Sequence, residues 1–207
     1  MTLRTAHIPG NKPSPGKRMT FEEFLEAEFD HHHYEWVDGE AIEMAAVDFK
    51  HADLRDWLVS VLRYVADDRG LGKVTGEPFL MKASDDLPGR SPDIVFIRTE
   101  RVSLIDRDTL RGPADVVIEV ASPGTRSLDR TKKFREYEAG GVGEYWIVDP
   151  HRQTAEFFVL QNGSLIPGEV DENQNYRTPL FPGVWFNLEW FWTLPATSIL
   201  VRTWSAS

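Results

Sequence analysis

The chain has 207 residues, 41% of them hydrophobic and 27% charged, which is typical of a soluble globular domain with a core. It contains no cysteine and no apolar run long enough for a membrane span or a secretory signal, so disulfides and thiolate metal sites are excluded and a cytoplasmic location is expected. The net charge of -10 argues against holding nucleic acid by bulk positive charge. An enzyme acting on nucleic acid remains compatible with it, because metal-binding carboxylates add negative charge.

The first predicted helix follows a segment without hydrophobic periodicity. Residues 1–18 contain three prolines and two glycines and are expected to form a flexible arm. Thr20 and Glu23 form a capping-box pattern that predicts a helix from about 21 to 28. The run His31–His33 could bind Zn²⁺ or Ni²⁺, although three adjacent histidines cannot easily converge on one ion.

Turn and periodicity signals define the next three elements. Asp38-Gly39 lies between alternating apolar residues and predicts a hairpin over residues 34–44. Leucine and valine at spacings of three and four predict a helix over residues 49–68. The segment 73–82 is predicted to be one strand.

Two short apolar strands each carry one acid at a place where a metal ion could bind. Val- and Ile-rich runs at 91–97 and 115–120 predict buried strands, joined by a charged linker from about 98 to 114. Asp93 opens the first run, and Glu119 lies near the end of the second. A buried carboxylate is costly unless it is paired or binds a cation. Two such acids on adjacent strands could share a hard divalent ion.

The helix predicted from Leu128 to Ala139 adds a candidate lysine. At about 100° per residue, Asp129, Lys133 and Tyr137 lie along one side, whereas Lys132 points away. Lys133 therefore leans inward, where it could position an attacking water or stabilise charge on a phosphate oxygen. Alternatively, Lys133 only pairs with Asp129, which could also cap the helix, and Tyr137 is a core residue.

The remaining segments are predicted to be strands, with an Asn-Gly hairpin turn between the second and third of them. These strands are 144–150, 155–160, 164–167, 176–180 and 184–191. Together the elements predict one mixed α/β domain over residues 19–207, with a central sheet and β additions at its end.

These residues resemble a known nuclease group. Pro92-Asp93, followed 26 residues later by Glu119 and then by a lysine, is similar to the PD-(D/E)xK nuclease superfamily. The run from Ile118 through Lys133 to Pro150 resembles the Uma-two family more closely, which is commonly labelled putative restriction endonuclease. The resemblance extends over about residues 19–192. It implies a restriction-endonuclease-like α/β fold, with a mixed central sheet flanked by helices and extra C-terminal β-strands.

One position departs from the common superfamily motif. That motif has lysine two residues after the second acid, where this chain has Ala121. The Uma-two pattern places the lysine on the following helix, which fits Lys133. Tyr34-Glu35 and His51 also match this pattern.

The resemblance implies metal-dependent hydrolysis of DNA phosphodiester bonds. Asp93, Glu119 and the Val120 carbonyl would bind Mg²⁺ or Mn²⁺, and Lys133 would position the water or neutralise the leaving charge. Other possible site members are Glu35, His51, Asp129 and Tyr137. Many nucleases that cut duplex DNA are two-fold dimers, and the aromatic tail from Tyr176 to Trp192 could close such a homodimer.

Two other functions remain open at this point. A non-catalytic module that keeps the fold and binds nucleic acid or protein is favoured by the acidic net charge. A metal-dependent hydrolase could also act on a different phosphate ester. The presence of Asp93, Glu119 and Lys133 together favours the nuclease. G-x-S-x-G and Walker-type motifs are absent from the sequence.

Overall fold

The computed structural model describes residues 18–29, 34–107 and 109–205. All but the last residue of the predicted N-terminal arm, and the run His31–His33, lie outside the described residues. In chain order the elements are α1 (Phe21–Glu26), β1 (Tyr34–Val37), β2 (Glu40–Glu43), α2 (Phe49–Asp68), β3 (Gly72–Gly76), β4 (Leu80–Lys82), β5 (Gly89–Arg90), β6 (Ile94–Arg98), β7 (Ile105–Asp106), β8 (Thr109–Arg111), β9 (Val116–Val120), α3 (Arg126–Leu128), α4 (Phe134–Gly140), β10 (Glu144–Asp149), β11 (Thr154–Gln161), β12 (Ser164–Pro167), β13 (Asn175–Arg177), β14 (Trp185–Asn187), α5 (Trp190–Thr193) and α6 (Thr197–Ser205).

A mixed six-stranded sheet in the order β12-β11-β10-β9-β6-β3 forms the centre of the fold. β9 and β10 are parallel, whereas the other neighbouring strands are antiparallel. Every residue of β9 and β10 is buried, which agrees with their content of Val and Ile. The predicted mixed central sheet flanked by helices is therefore confirmed.

Strand alternation divides the core into two hydrophobic clusters, one on each face of this sheet. Ile118 and Trp146 belong to the cluster that contains α2 and the C-terminal aromatic residues. Val117 and Ile147 belong to the opposite cluster, which contains residues of α4, β4 and β8. Glu119, two residues after Val117, lies on this second face. The catalytic candidates are thus placed on the side covered by α4.

A second six-stranded sheet, in the order β2-β1-β5-β4-β8-β7, covers that face. Its first hairpin turns at Asp38 and Gly39, whose φ angles of 53° and 87° are the positive values that an Asp-Gly turn adopts. The predicted hairpin is therefore confirmed. Phe21 of α1 packs so closely on Gly89 that a β-carbon there would lie 2.5 Å from the ring. Helix α1 is thereby fixed against this sheet.

Two predictions for the first half of the chain were wrong. The strand predicted over residues 73–82 divides into β3 and β4, which belong to different sheets. Glu77-Pro78 lies between them, and proline cannot donate a hydrogen bond to a strand ladder. The predicted linker over residues 98–114 contains a 3₁₀ helix (Thr99–Leu104) together with β7 and β8.

The prediction that the C-terminal region consists of strands was also wrong in part. The strand predicted over residues 184–191 is limited to β14, and helices α5 and α6 follow it. Aromatic residues favour strands, which explains the error at Trp190 and Phe191. Leu200 and Trp204 lie four residues apart and are buried on one side of α6. Over the described residues, no helix combines the length and apolar character needed to cross a bilayer.

Candidate active site

The two acids predicted from the sequence lie opposite each other where β6 begins and β9 ends. The antiparallel register that pairs Ile94 with Ile118 brings Asp93, the residue before β6, opposite Glu119. Both acids are buried, and Asp93 Oδ2 accepts a 2.6 Å hydrogen bond from the Val120 amide. In an extended residue the amide and the carbonyl point to the same edge of the strand. The Val120 carbonyl therefore faces the edge on which Asp93 lies.

Lys133 reaches Glu119 from the helix that follows β9. Its Nζ atom lies 2.9 Å from Glu119 Oε1, the same oxygen that accepts a 2.6 Å hydrogen bond from the Tyr137 hydroxyl. Nζ also lies 3.6 Å from Glu35 and 3.9 Å from Asp129. The structure thus brings four sequence-predicted residues around one lysine.

A π-helical turn over Asp129–Lys133, between α3 and α4, directs this lysine inward. Its i→i+5 hydrogen bonding widens the turn, so Asp129 and Lys133 both face the interior, with exposed fractions of only 1% and 2%. Lys132 is exposed, as its position on the helix predicts. Of the two roles considered for Asp129, the N-cap does not apply, because Thr125 holds that position and Asp129 lies inside the helix, 3.9 Å from Lys133 Nζ.

Burial determines the protonation of this cluster. It raises the pKa of Glu119 to about 8, assisted by the charges of Asp93 and Asp129 and opposed by Lys133. Burial also disfavours the charged form of Lys133, but attraction to Glu119, Glu35 and Asp129 outweighs it and raises the pKa of the lysine. Lys133 therefore remains protonated at neutral pH. It can act as a cation there, but not as a general base.

Glu35 of β1 joins the site through Arg90, which the sequence analysis did not single out. Arg90 Nη1 lies 2.6 Å from Glu35 Oε2, and its other nitrogens donate to Glu136 at 2.7 and 2.9 Å. The Ser91 amide donates to Glu35 Oε1 at 3.2 Å. Burial opposes ionisation of Glu35, but Lys133 and Arg90 outweigh it and lower its pKa. Glu35 is therefore a fixed, ionised carboxylate and not a surface residue.

His51 approaches the site from the first turn of α2. Asp48 caps this helix by accepting a 3.0 Å hydrogen bond from the His51 amide, and His51 Nε2 lies 3.0 Å from Asp93 Oδ1. His51, Glu77 and Asp93 each offer one ligand atom, and these atoms lie within 4.8 Å of one another. Glu77 is also held by Arg55 at 2.6 Å. These contacts extend the cluster of possible metal ligands beyond the residues on the two strands.

Buried carboxylates outnumber the buried cations in this part of the described structure. The acids are Glu35, Asp93, Glu119 and Asp129, and the basic groups that contact members of this set are Lys133, Arg90 and His51. Such a surplus is unfavourable unless some acids are protonated or a further cation is bound. Carboxylate and carbonyl oxygens are the ligands that Mg²⁺ and Mn²⁺ prefer. The donor set therefore fits a hard divalent ion.

Comparison with known proteins identifies the family and a similar fold. The model of the Uma-two family, described as putative restriction endonuclease, matches residues 21–189. The chain belongs to the Uma-two family. Its fold is similar to the crystal structure of a putative nuclease belonging to DUF820 from Anabaena variabilis ATCC 29413, with a TM-score of 0.70 at 19% sequence identity. That match covers 85% of this chain and 98% of the other, whereas a search of curated proteins finds no significant match.

Two residues of this Uma-two member escaped the sequence analysis because their partners are distant in the chain. Arg90 contacts Glu35 across 55 positions, and Glu77 lies near His51 only after β3 has returned beside α2. Arg90 directly precedes Ser91-Pro92-Asp93, so its closeness to the first acid in the chain was the available sequence signal for Arg90. No local pattern indicated Glu77.

Proposed function

We propose that this chain is a metal-dependent endonuclease that hydrolyses phosphodiester bonds in DNA. The observation that carries the proposal is the convergence of Asp93, Glu119 and Lys133 in one buried cluster with a surplus of carboxylates. A nuclease needs both a place for a divalent ion and a fixed positive charge near the phosphate. Membership of the Uma-two family supports a nucleic-acid substrate.

Asp93, Glu119 and the Val120 carbonyl would hold Mg²⁺ or Mn²⁺. When bound, such an ion supplies Lewis-acid polarisation of a phosphate oxygen and lowers the pKa of a water molecule. The Val120 amide orients Asp93 through its 2.6 Å hydrogen bond. His51 fixes the other oxygen of Asp93 at 3.0 Å. Both contacts restrict the rotation of the carboxylate, which favours a preorganised ligand set.

Lys133 would stabilise negative charge on the phosphate, while Glu119, which accepts a hydrogen bond from the Tyr137 hydroxyl, holds the lysine in place. Its raised pKa keeps the ammonium charged, and its contacts with three carboxylates restrain its position. Glu35 and Asp129 would act mainly on Lys133, since both lie within 4 Å of its Nζ atom. In this arrangement Lys133 would contribute through its positive charge, and water or a carboxylate would accept the proton of the attacking water.

We also propose a homodimer that uses the exposed part of the aromatic tail. Tyr176, Phe186 and Phe191 are buried inside the protomer and cannot contact a partner. Trp185 and Trp190 are stacked with 4.8 Å between ring centroids and are only partly buried. A two-fold axis near this pair would match the symmetry of duplex DNA.

The test is cleavage of plasmid and of single- and double-stranded oligonucleotides with Mg²⁺, Mn²⁺ or EDTA. We expect Asp93→Ala and Glu119→Ala to abolish cleavage, and Lys133→Ala to reduce it by about 10²- to 10³-fold. Lys132→Ala is the matched control and should retain wild-type activity, because its side chain is exposed. Cleavage that survives all three site changes would contradict the assignment. Metal-independent binding without cleavage would support the non-catalytic alternative.

A further inference from the structure

Arg90 belongs to a row of alternating charges that ends at the candidate metal ligand Glu119. Its guanidinium contacts Glu136 of α4 through two nitrogens, at 2.7 and 2.9 Å, and Glu35 of β1 through the third, at 2.6 Å. Glu35 lies 3.6 Å from the ammonium of Lys133, which lies 2.9 Å from Glu119. None of these five side chains is more than 11% exposed, so solvent screens their charges little.

The Lys133 ammonium has more carboxylates within reach than it can bind equally well. Glu119 is nearest at 2.9 Å, Glu35 follows at 3.6 Å and Asp129 at 3.9 Å. Burial raises the pKa of Glu119 and of Asp129. The pKa of Glu35 is lowered in spite of burial, by Lys133 and Arg90. Charge alone would therefore draw the lysine toward Glu35 and away from Glu119.

Arg90 offers an explanation for the opposite order of distances. It holds Glu35 Oε2 at 2.6 Å, while the Ser91 amide donates at 3.2 Å to Oε1, the oxygen that lies nearer Lys133. These two contacts fix the carboxylate and offset much of its negative charge. Glu35 then needs no direct hydrogen bond from the lysine, and 3.6 Å is longer than such a bond.

We propose that Arg90 is a positioning residue that keeps Lys133 on Glu119 by neutralising Glu35. The inference rests on the proposed nuclease function, in which Lys133 acts beside the metal ligand. Without the guanidinium, Glu35 would be a buried charge whose one remaining ion-pair partner among the described residues is Lys133. The ammonium would then shift toward Glu35. A displacement of about 1 Å in an active-site group can lower a rate by about 10²-fold.

The first test is a crystal structure of Arg90→Met grown in EDTA, which does not depend on catalysis. We expect Lys133 Nζ to lie within hydrogen-bond distance of Glu35 and to have left Glu119. Unchanged distances in the folded variant would overturn the proposal. If Arg90→Met does not fold, Arg90→Gln takes its place with the same expectation, because it keeps a hydrogen-bond donor and removes the charge.

The second test is a double-mutant cycle on DNA cleavage with Mn²⁺. Arg90→Met should lower the cleavage rate by about 10- to 100-fold. Adding Glu35→Gln should raise the rate again, to that of Glu35→Gln alone, because no buried negative charge then remains to draw the lysine away. Glu136→Gln is the control and should retain wild-type activity, since it leaves the contact between Arg90 and Glu35 in place.

The outcomes separate this proposal from a structural role and from the nuclease proposal. If the double variant or Glu136→Gln is as slow as Arg90→Met, Arg90 acts by anchoring α4, and its effect on Lys133 is overturned. Failure of the wild type to cleave any DNA would overturn the nuclease proposal. The position of Lys133 in the Arg90→Met crystal would still decide whether Arg90 places the lysine.

Discussion

Replacing Lys133 with methionine tests whether its charge holds the carboxylate cluster together. The Lys133 side chain is 2% exposed, and its ammonium lies 2.9 Å from Glu119, 3.6 Å from Glu35 and 3.9 Å from Asp129. Methionine keeps much of the apolar stem but removes the charge, so the acids stay buried without their shared cation. Lys132→Met is the matched control, since this lysine is 48% exposed and its ammonium lies 3.6 Å from an exposed Asp38.

The expected loss of unfolding free energy follows from the burial of each lysine. Removing one partner of a buried ion pair costs about 3–5 kcal/mol of unfolding free energy, a large part of the roughly 5–15 kcal/mol that stabilises a domain. Removing an exposed lysine costs about 0–1 kcal/mol. The loss in Lys133→Met should shrink at acidic pH, because the attraction that is lost counts only where the acids are ionised. Without Lys133 the pKa of Glu119, already about 8, rises further, so the cost is greatest at alkaline pH.

The assay is urea unfolding in EDTA at pH 5 and pH 8, followed by tryptophan fluorescence and by circular dichroism. A difference of less than about 1 kcal/mol between the two lysine variants at pH 8 would refute the reasoning. Mn²⁺ affinity gives an independent readout. It should be retained or increased in Lys133→Met, because a cation that competes for Glu119 has been removed, while DNA cleavage falls.

Three further predictions concern stability. Mn²⁺ at about 100 times its Kd should raise the unfolding free energy by about 2.7 kcal/mol, and Asp93→Asn should abolish this gain in a calorimetric titration and thermal melt. The pKa of buried Asp149 is lowered, because Arg126 and backbone amides outweigh desolvation. Ionised Asp149 therefore stabilises the folded protein above pH 3.8, and this contribution is lost as the pH falls through the folded-state pKa. Asp149→Asn should therefore destabilise the protein at pH 7 by about 1–3 kcal/mol, and urea unfolding should show this gap closing at low pH. Gly72→Ala places a β-carbon 2.1 Å from the Ile97 carbonyl oxygen on β6, the strand paired with β3, and should lower the unfolding free energy by about 2–4 kcal/mol in the same assay. Gly124→Ala is the control and should have almost no effect, because the nearest atom to its β-carbon is 3.9 Å away.

Local signals predicted the elements that carry the site. The helix over residues 49–68 was predicted with the bounds that α2 has, because its buried leucines keep one spacing throughout. Asp-Gly and Asn-Gly turns placed two hairpins correctly, since few residue pairs adopt positive φ at both positions. The inward orientation of Lys133 was also predicted, although the sequence did not indicate the π turn at which it lies.

Long-range contacts decided what local patterns left open. Sequence reasoning treated residues 73–82 as one strand, but β3 and β4 pair with different partners, and pairing is a property of the whole sheet. The aromatic segment near Trp190 was predicted to be a strand because of β-propensity, whereas packing of Leu200 and Trp204 against the core favours helices there. In both cases tertiary packing outweighed a weak local preference.

The sequence by itself predicted the residues that we propose as the carriers of the chemistry. Asp93 and Glu119 are acids on strands too apolar to tolerate them without a partner, and the helical period selects Lys133 over its neighbour. Only the tertiary structure decided which groups surround them. Arg90 and Glu77 lie far in the chain from the residues they approach, and side chains that meet only after strands have paired leave no periodic or local pattern in the sequence.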